Sequence, residues 1–154
     1  MVNMKRMLEK YKFFEGLDDR CLELLAECAT NVEFEEGAFI LRQGEAADHF
    51  IVIRKGKVIV EIYSPGRGPI TIQTLEKGDI LGWSWLVPPY QWCYDARSVE
   101  KTRAISFDAR CLRAKCDEDH GLGYDLFKRL VPVIDQRMQA ARKQLVNLYG
   151  GPAC

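Results

Sequence analysis

VEFEEGAFILRQGEAADHFIVIRKGKVIVEIYSPGRGPITIQTLEKGDILGW, residues 32–83, is a succession of short apolar runs broken at Gly37, Gly44, Gly56, Gly66, Gly68 and Gly78. Runs of β-branched and aromatic residues bounded by glycine are the pattern of antiparallel strands and their turns. Lys55-Gly56, between runs at 50–54 and 57–63, is expected as a tight hairpin turn, with glycine supplying the positive φ. Ser64-Pro65-Gly66-Arg67-Gly68-Pro69 makes a looser connection. Two further runs at 94–99 and 103–107 complete a closed or two-sheeted β structure, an arrangement that removes exposed strand edges.

Helical periodicity flanks this sheet on both sides. Met4, Met7, Leu8 and Tyr11 share one helical face, and a second helix, capped by Asp18 or Asp19, carries Leu22, Leu25, Ala26 and Ala29. After residue 107, Asp108 caps a short helix through Cys111 and Leu112. A long helix is then predicted from about residue 122 to 149, with Leu126, Leu130, Ile134, Met138, Ala141, Leu145 and Leu148 as one apolar stripe. Pro132 is expected to kink this helix or mark its true start, and Gly150-Gly151-Pro152 to end it. The chain is thus read as one domain: opening helices over 1–30, the β structure over 31–107 and closing helices over 108–149.

Composition narrows the function classes. The 154 residues carry 22 Lys+Arg against 22 Asp+Glu, so no overall basic field exists to hold nucleic acid. No apolar run reaches the length of a membrane span and the N-terminus has no signal-peptide core, which places the protein in the cytoplasm. The six cysteines, Cys21, Cys28, Cys93, Cys111, Cys116 and Cys154, form no CxxC pair and are read as reduced thiols, mostly buried. His49 and His120 stand far apart, so neither a histidine metal site nor a His-based nucleophile is indicated, and no metal is expected.

The segment 77–98, KGDILGWSWLVPPYQWCYDARS, holds all three tryptophans, a Pro-Pro pair, two tyrosines and a lone arginine where a sheet protein would place a short polar turn. This is the pocket candidate. The tryptophans could wall a ligand or simply fill the barrel, and Arg97 could anchor an anion or pair with Asp95, Glu100 or another surface carboxylate. Lys128, Arg129, Arg142 and Lys143 share the long helix with Asp125 and Asp135, so they read as a solvated face.

In order and spacing, FFEGLDDRCLELLAECA (13–29), EEGAFILRQGEAADHFIVIRKGKVIVEI (35–62) and LEKGDILGWSWL (75–86) resemble the cyclic nucleotide-binding domain of catabolite-activator-type regulators, over nearly the whole chain. The resemblance implies a mainly β fold, a jelly-roll barrel with short N-terminal helices and one long C-terminal helix. It also implies a ligand held against that helix, and pairing of two such helices in a homodimer through Leu130, Ile134, Met138, Ala141, Leu145 and Leu148.

Departures from the family pattern fall in the ligand cassette. The family's Gly-Glu, whose Glu receives the ribose hydroxyl, is here Gly82-Trp83, and a gapless alignment puts Trp92-Cys93 where the phosphate-binding Arg-Ser belongs. A gapped alignment would instead bring Arg97-Ser98 into the cassette. Arg137-Met138-Gln139 matches the long-helix pattern, while Ala141 and Arg142 stand where hydroxyl residues touch the purine. A cyclic phosphate is a permanent anion whose burial without a cation costs several kcal/mol. The expected ligand set is Leu81, Gly82, Trp83, Ser84, Trp85, Trp92, Arg97, Ser98, Met138 and Arg142, for a cyclic nucleotide or, more in keeping with the cassette, another small ligand. The alternative is a ligand-free adaptor that acts on a regulatory protein partner. The family's helix-turn-helix follows the long helix and this sequence stops at Cys154, so direct DNA binding is not expected, nor is catalysis.

Overall fold

The structure is a computed structural model that describes residues 3–149. Helix α1 (Met4–Glu9), a 3-10 turn (Lys12–Phe14) and α2 (Asp19–Glu27) lead into strands β1 (Ala29–Phe34), β2 (Phe39–Leu41), β3 (His49–Lys55), β4 (Val58–Ser64), β5 (Gly68–Leu75) and β6 (Ile80–Leu81). A second 3-10 turn (Ser84–Leu86) precedes β7 (Asp95–Ser98) and β8 (Thr102–Asp108), and α3 (Ala109–Glu118) and α4 (His120–Tyr149) follow. The strands form two four-stranded sheets, β1-β8-β3-β6 and β2-β7-β4-β5, every pairing antiparallel. This is the mainly β, jelly-roll arrangement with helices at both ends.

The expected hairpin at Lys55-Gly56 is corrected. Strands β3 and β4 lie in different sheets, so the turn carries the chain from one sheet to the other. Gly56 is needed there for two reasons: its φ is +117°, and an added Cβ would stand 2.5 Å from Thr102 Oγ1 and 2.8 Å from the Lys101 carbonyl. The true hairpin is β4–β5, closed at the Ser64–Gly68 pair through the Pro-Gly-rich connection.

Strand β3 is buried on both faces at Phe50, Ile51, Val52 and Ile53. One face lies under the opening helices, where Phe50 packs 5.6 Å from Phe13, 5.3 Å from Phe107 and 5.8 Å from Trp85 between ring centroids. Both predicted caps form. Asp18 accepts from the Cys21 amide at 2.8 Å and Asp108 from the Cys111 amide at 2.9 Å, each satisfying an otherwise open helix N–H. Helix α4 starts at His120 and continues through Pro132 to Tyr149, so the proline neither starts nor ends it. Its 30 residues extend about 45 Å. The Gly150-Gly151-Pro152 stop and Cys154 lie outside the described residues.

The reading of six reduced thiols is also corrected, because Cys28 and Cys111 are joined in a disulfide with a Cα–Cα distance of 5.6 Å. The two are 83 residues apart in sequence. The β1–β8 ladder pairs Ala29 with Phe107, which brings the C-cap of α2 beside the first turn of α3. Among the described residues Cys21, Cys93 and Cys116 are free, and burial pushes the Cys21 thiol up to about 11. A cross-link closing a loop this long restricts the unfolded chain. Reduction, or a Cys28→Ser/Cys111→Ser double variant, is expected to lower unfolding stability by about 2–4 kcal/mol. Urea denaturation with and without reductant measures this; the double variant should show no further response to reductant.

Candidate functional site

The cassette begins where β6 ends. Gly82 has φ +93°, and an added Cβ would stand 2.8 and 2.9 Å from the six-membered ring of Trp92. The indole of Trp92 therefore lies directly against the Gly82 backbone, and Trp92 itself is buried. Its main chain is pinned from the other side, with its N–H donating to the Glu45 carbonyl at 3.0 Å and its carbonyl accepting from Gly44 at 2.9 Å. Trp92 stands at the position the gapless alignment gives to the phosphate arginine.

The other two tryptophans differ in role. Trp85 is fully buried in the aromatic core with Phe50, and its carbonyl accepts from Arg113 Nη1 at 2.8 Å. The Arg113 guanidinium also lies 4.4 Å from the Tyr90 ring centroid, so α3 clamps the cassette at two points. Trp83 is half-buried, with its ring 6.5 Å from that of Tyr94. Trp83 Nε1 and Ser84 Oγ are buried without a hydrogen-bond partner among the described residues. Leu81 is buried in β6.

Arg97 sits in β7, where the period of two turns Ala96 and Ser98 into the core and Arg97 away from it. There it meets Glu61 of β4, with Nε–Oε1 at 3.3 Å and Nη2–Oε2 at 3.5 Å. Its partner is thus neither Asp95 nor Glu100 but a buried carboxylate. Ser98 Oγ is buried and unpartnered among the described residues, and the Ser98 main chain is bonded to Gly37 and Ala38. Met138 and Arg142 lie on exposed faces of α4. With Ile62 and Ile70 of the β4–β5 hairpin they line an apolar groove of about 570 Å³ that no cassette residue borders.

Arg137, absent from the expected ligand set, is the residue that joins the cassette to α4. It is 6% exposed, and its Nη2 donates to the Ile80 carbonyl at 2.8 Å and its Nη1 to the Tyr94 hydroxyl at 3.4 Å. Burial raises the Tyr94 hydroxyl pKa above its ordinary value, against the lowering effect of the Arg137 charge. The only sequence signal was the match of Arg137-Met138-Gln139 to a helix pattern; nothing in it says that the arginine turns inward.

Helix α4 has two apolar faces, not one. Leu122, Leu126, Leu130 and Arg137 are buried against the barrel, so Leu130 belongs to the chain's own core and is corrected from the expected seam. Tyr124, Phe127, Val131, Ile134, Met138, Ala141, Leu145 and Leu148 follow at alternating steps of three and four. Along this outer line Tyr124, Phe127, Val131, Met138 and Leu145 are exposed. This is the heptad spacing of a coiled-coil seam. Among the described residues no group of His, Cys, Asp and Glu is placed to hold a metal ion, and no helix is long and apolar enough to cross a membrane.

The contact between Gly82 and Trp92 is testable by a double-mutant cycle. Gly82→Ala is expected to destabilise the native chain strongly, because the new methyl meets the indole and the φ is left-handed. In a Trp92→Ala background only the backbone strain of about 1–2 kcal/mol should remain. Trp92→Ala alone should cost about 3–5 kcal/mol as a buried large-to-small change. Urea unfolding of the four proteins gives the coupling; additive effects would refute the contact.

Comparison with known proteins places this geometry. A family model described as the cyclic nucleotide-binding domain matches residues 31–119. A CRP-like cAMP-activated global transcriptional regulator of Mycobacterium tuberculosis is 21% identical over 145 residues, covering 94% of this chain and 63% of the relative, so the chain spans less than two thirds of that protein. A cyclic nucleotide-binding domain from Methylobacillus flagellatus superposes with a TM-score of 0.78 at 17% identity, over 99% of this chain and 85% of the other. The regulatory subunit of a cAMP-independent protein kinase A from Trypanosoma cruzi, bound to guanosine, does so with a TM-score of 0.71 at 21% identity, over 95% and 50%. With its two-sheet barrel, its cassette between β6 and β7 and its long closing helix, this chain belongs to the cyclic nucleotide-binding domain family.

Proposed function

We propose that this chain is a regulatory domain whose cassette is closed to standard cyclic nucleotides and which acts by protein contact through α4, as a homodimer in the cytoplasm. The observation that carries the reading is the Trp92 indole packed on Gly82. A cyclic nucleotide entering there would have to expel a buried indole and would meet no arginine in return, while its phosphate carries a full charge out of water. Arg97, the other candidate for that charge, is engaged by Glu61, and freeing it would leave a buried carboxylate alone. The Trypanosoma cruzi neighbour of the same fold is named as cAMP-independent and is bound to guanosine.

The reading with a different small ligand in the cassette has one specific observation in its favour, the partnerless Trp83 Nε1 and Ser84 Oγ. An uncharged ligand accepting from the indole and bonding the hydroxyl would satisfy both, provided Trp92 swings away. Calorimetric titration with cAMP and cGMP is the direct test of the closed cassette. No saturable heat is expected with either nucleotide; binding abolished by Arg97→Ala would instead make Arg97 the phosphate anchor and overturn the proposal.

The contact half of the proposal rests on the outer line of α4. A seam of large exposed apolar side chains at heptad spacing is stable when a second helix covers it, and a second α4 offers a matching line about a two-fold axis. Light scattering after size exclusion is expected to give a dimer for the native chain. Met138→Glu/Leu145→Glu, which places charges on the seam at two exposed positions, is expected to give a monomer with unchanged circular dichroism. A monomeric native chain, or a dimer indifferent to both charges, would refute the seam.

A further inference from the structure

On the side of α4 that faces the opening helices lies a cavity of about 590 Å³, bounded by the first 3-10 turn, the end of β5, the Gly78–Ile80 turn and the first half of α4. Of the 77–98 segment it borders only Gly78, Asp79 and Ile80, and it is distinct from the groove beside the β4–β5 hairpin. Its charged lining is unbalanced: Lys12, Lys128, Arg129 and Arg137 against Glu15 and Asp79. Arg129 is already occupied, donating to the Glu15 and Asp125 carbonyls and pairing with the Asp125 carboxylate at 3.7 Å. Asp79 accepts from the Glu76 amide. Lys12, Lys128 and Arg137 have no carboxylate within ion-pair distance among the described residues.

Arg137 is the decisive group. It is 94% buried, given its 6% exposure, and both of its recorded partners, the Ile80 carbonyl and the Tyr94 hydroxyl, are neutral. Its Nε is buried with no acceptor, and Gln73 Oε1, also on the cavity wall, is buried with no donor. A guanidinium held out of water needs a counter-charge, and the planar Nε side of the fork is shaped for the two oxygens of a carboxylate or phosphate. The remaining walls are apolar, from Phe13, Leu75, Pro132 and Val133. A volume of this size with an apolar lining and a few convergent polar groups suits a small organic molecule.

We infer that this cavity binds a small organic anion, a carboxylate or phosphate monoester carrying an apolar ring, with the Arg137 guanidinium as its buried charge partner and the exposed Lys12 and Lys128 beside it. The site does not require dimer formation, and it shares Arg137 and Ile80 with the cassette. Its occupant touches both the opening 3-10 turn and α4, so it would fix the inner face of the helix whose outer face carries the seam.

The test follows the Arg137 Nε–H signal in ¹⁵N-labelled protein during titration with phenyl phosphate and, separately, benzoate, with benzamide as the uncharged control. Saturable shifts are expected with at least one anion and not with benzamide, and which anion binds more tightly tells phosphate from carboxylate. Because Arg137→Gln could unfold the chain, the second arm uses Lys12→Glu/Lys128→Glu, two exposed positions, which is expected to weaken anion binding by about tenfold or more. No shift with either anion, equal binding of benzamide, or affinity unchanged in the Lys12→Glu/Lys128→Glu variant would each overturn the inference.

Discussion

Arg137 donates from a buried position on α4 to the carbonyl of Ile80, the first residue of β6, and from its other terminal nitrogen to the hydroxyl of Tyr94, just ahead of β7. One guanidinium thereby spans the two ends of the cassette and fastens them to the long helix. The helix cannot shift along the barrel without stripping a buried cation of its hydrogen bonds, a costly loss in a low-dielectric site. The same side chain also lines the cavity, and its Nε is buried without an acceptor among the described residues. Cassette, helix and cavity are therefore mechanically one unit, joined at a single side chain.

Within that unit the cassette is packed by its own side chains. The glycine with positive φ remains at position 82, which still permits close approach to the backbone; the approaching group is an indole and not a ligand. Neighbouring elements hold this packing: the 44–47 loop binds the Trp92 main chain and Arg113 of α3 donates to the Trp85 carbonyl. The disulfide at Cys28–Cys111 ties the base of α3, and hence this clamp, to the opening helices.

The two faces of α4 divide its labour by length. The first half lies on the barrel through Leu122, Leu126 and Leu130, and beyond Arg137 no residue of the helix is buried. A helix about 45 Å long outruns a core of this size, and its outer line keeps heptad spacing over the whole length. The same helix also walls the cavity beside Phe13.

From the sequence alone, local pattern determined the elements: glycine-bounded apolar runs gave the strands, Asp18 and Asp108 gave the helix starts, and the three-four periodicity gave the long helix. Set against the family resemblance, it also marked Trp83, and in a gapless alignment Trp92, as departures in residue type at a fixed spacing. Pairing was beyond it. Lys55-Gly56 looks the same whether its two strands are neighbours in one sheet or partners across two, since a turn fixes chain reversal and not ladder contacts. The Cys28–Cys111 bond depends on a β1–β8 register 83 residues apart in sequence. Helical periodicity placed Leu130 and Met138 on one stripe, yet only packing decided that Leu130 faces the barrel and Met138 solvent. The inward turn of Arg137 and the pairing of Arg97 with Glu61 were likewise settled in three dimensions, because a charged side chain takes its place from the partners that the fold brings within reach.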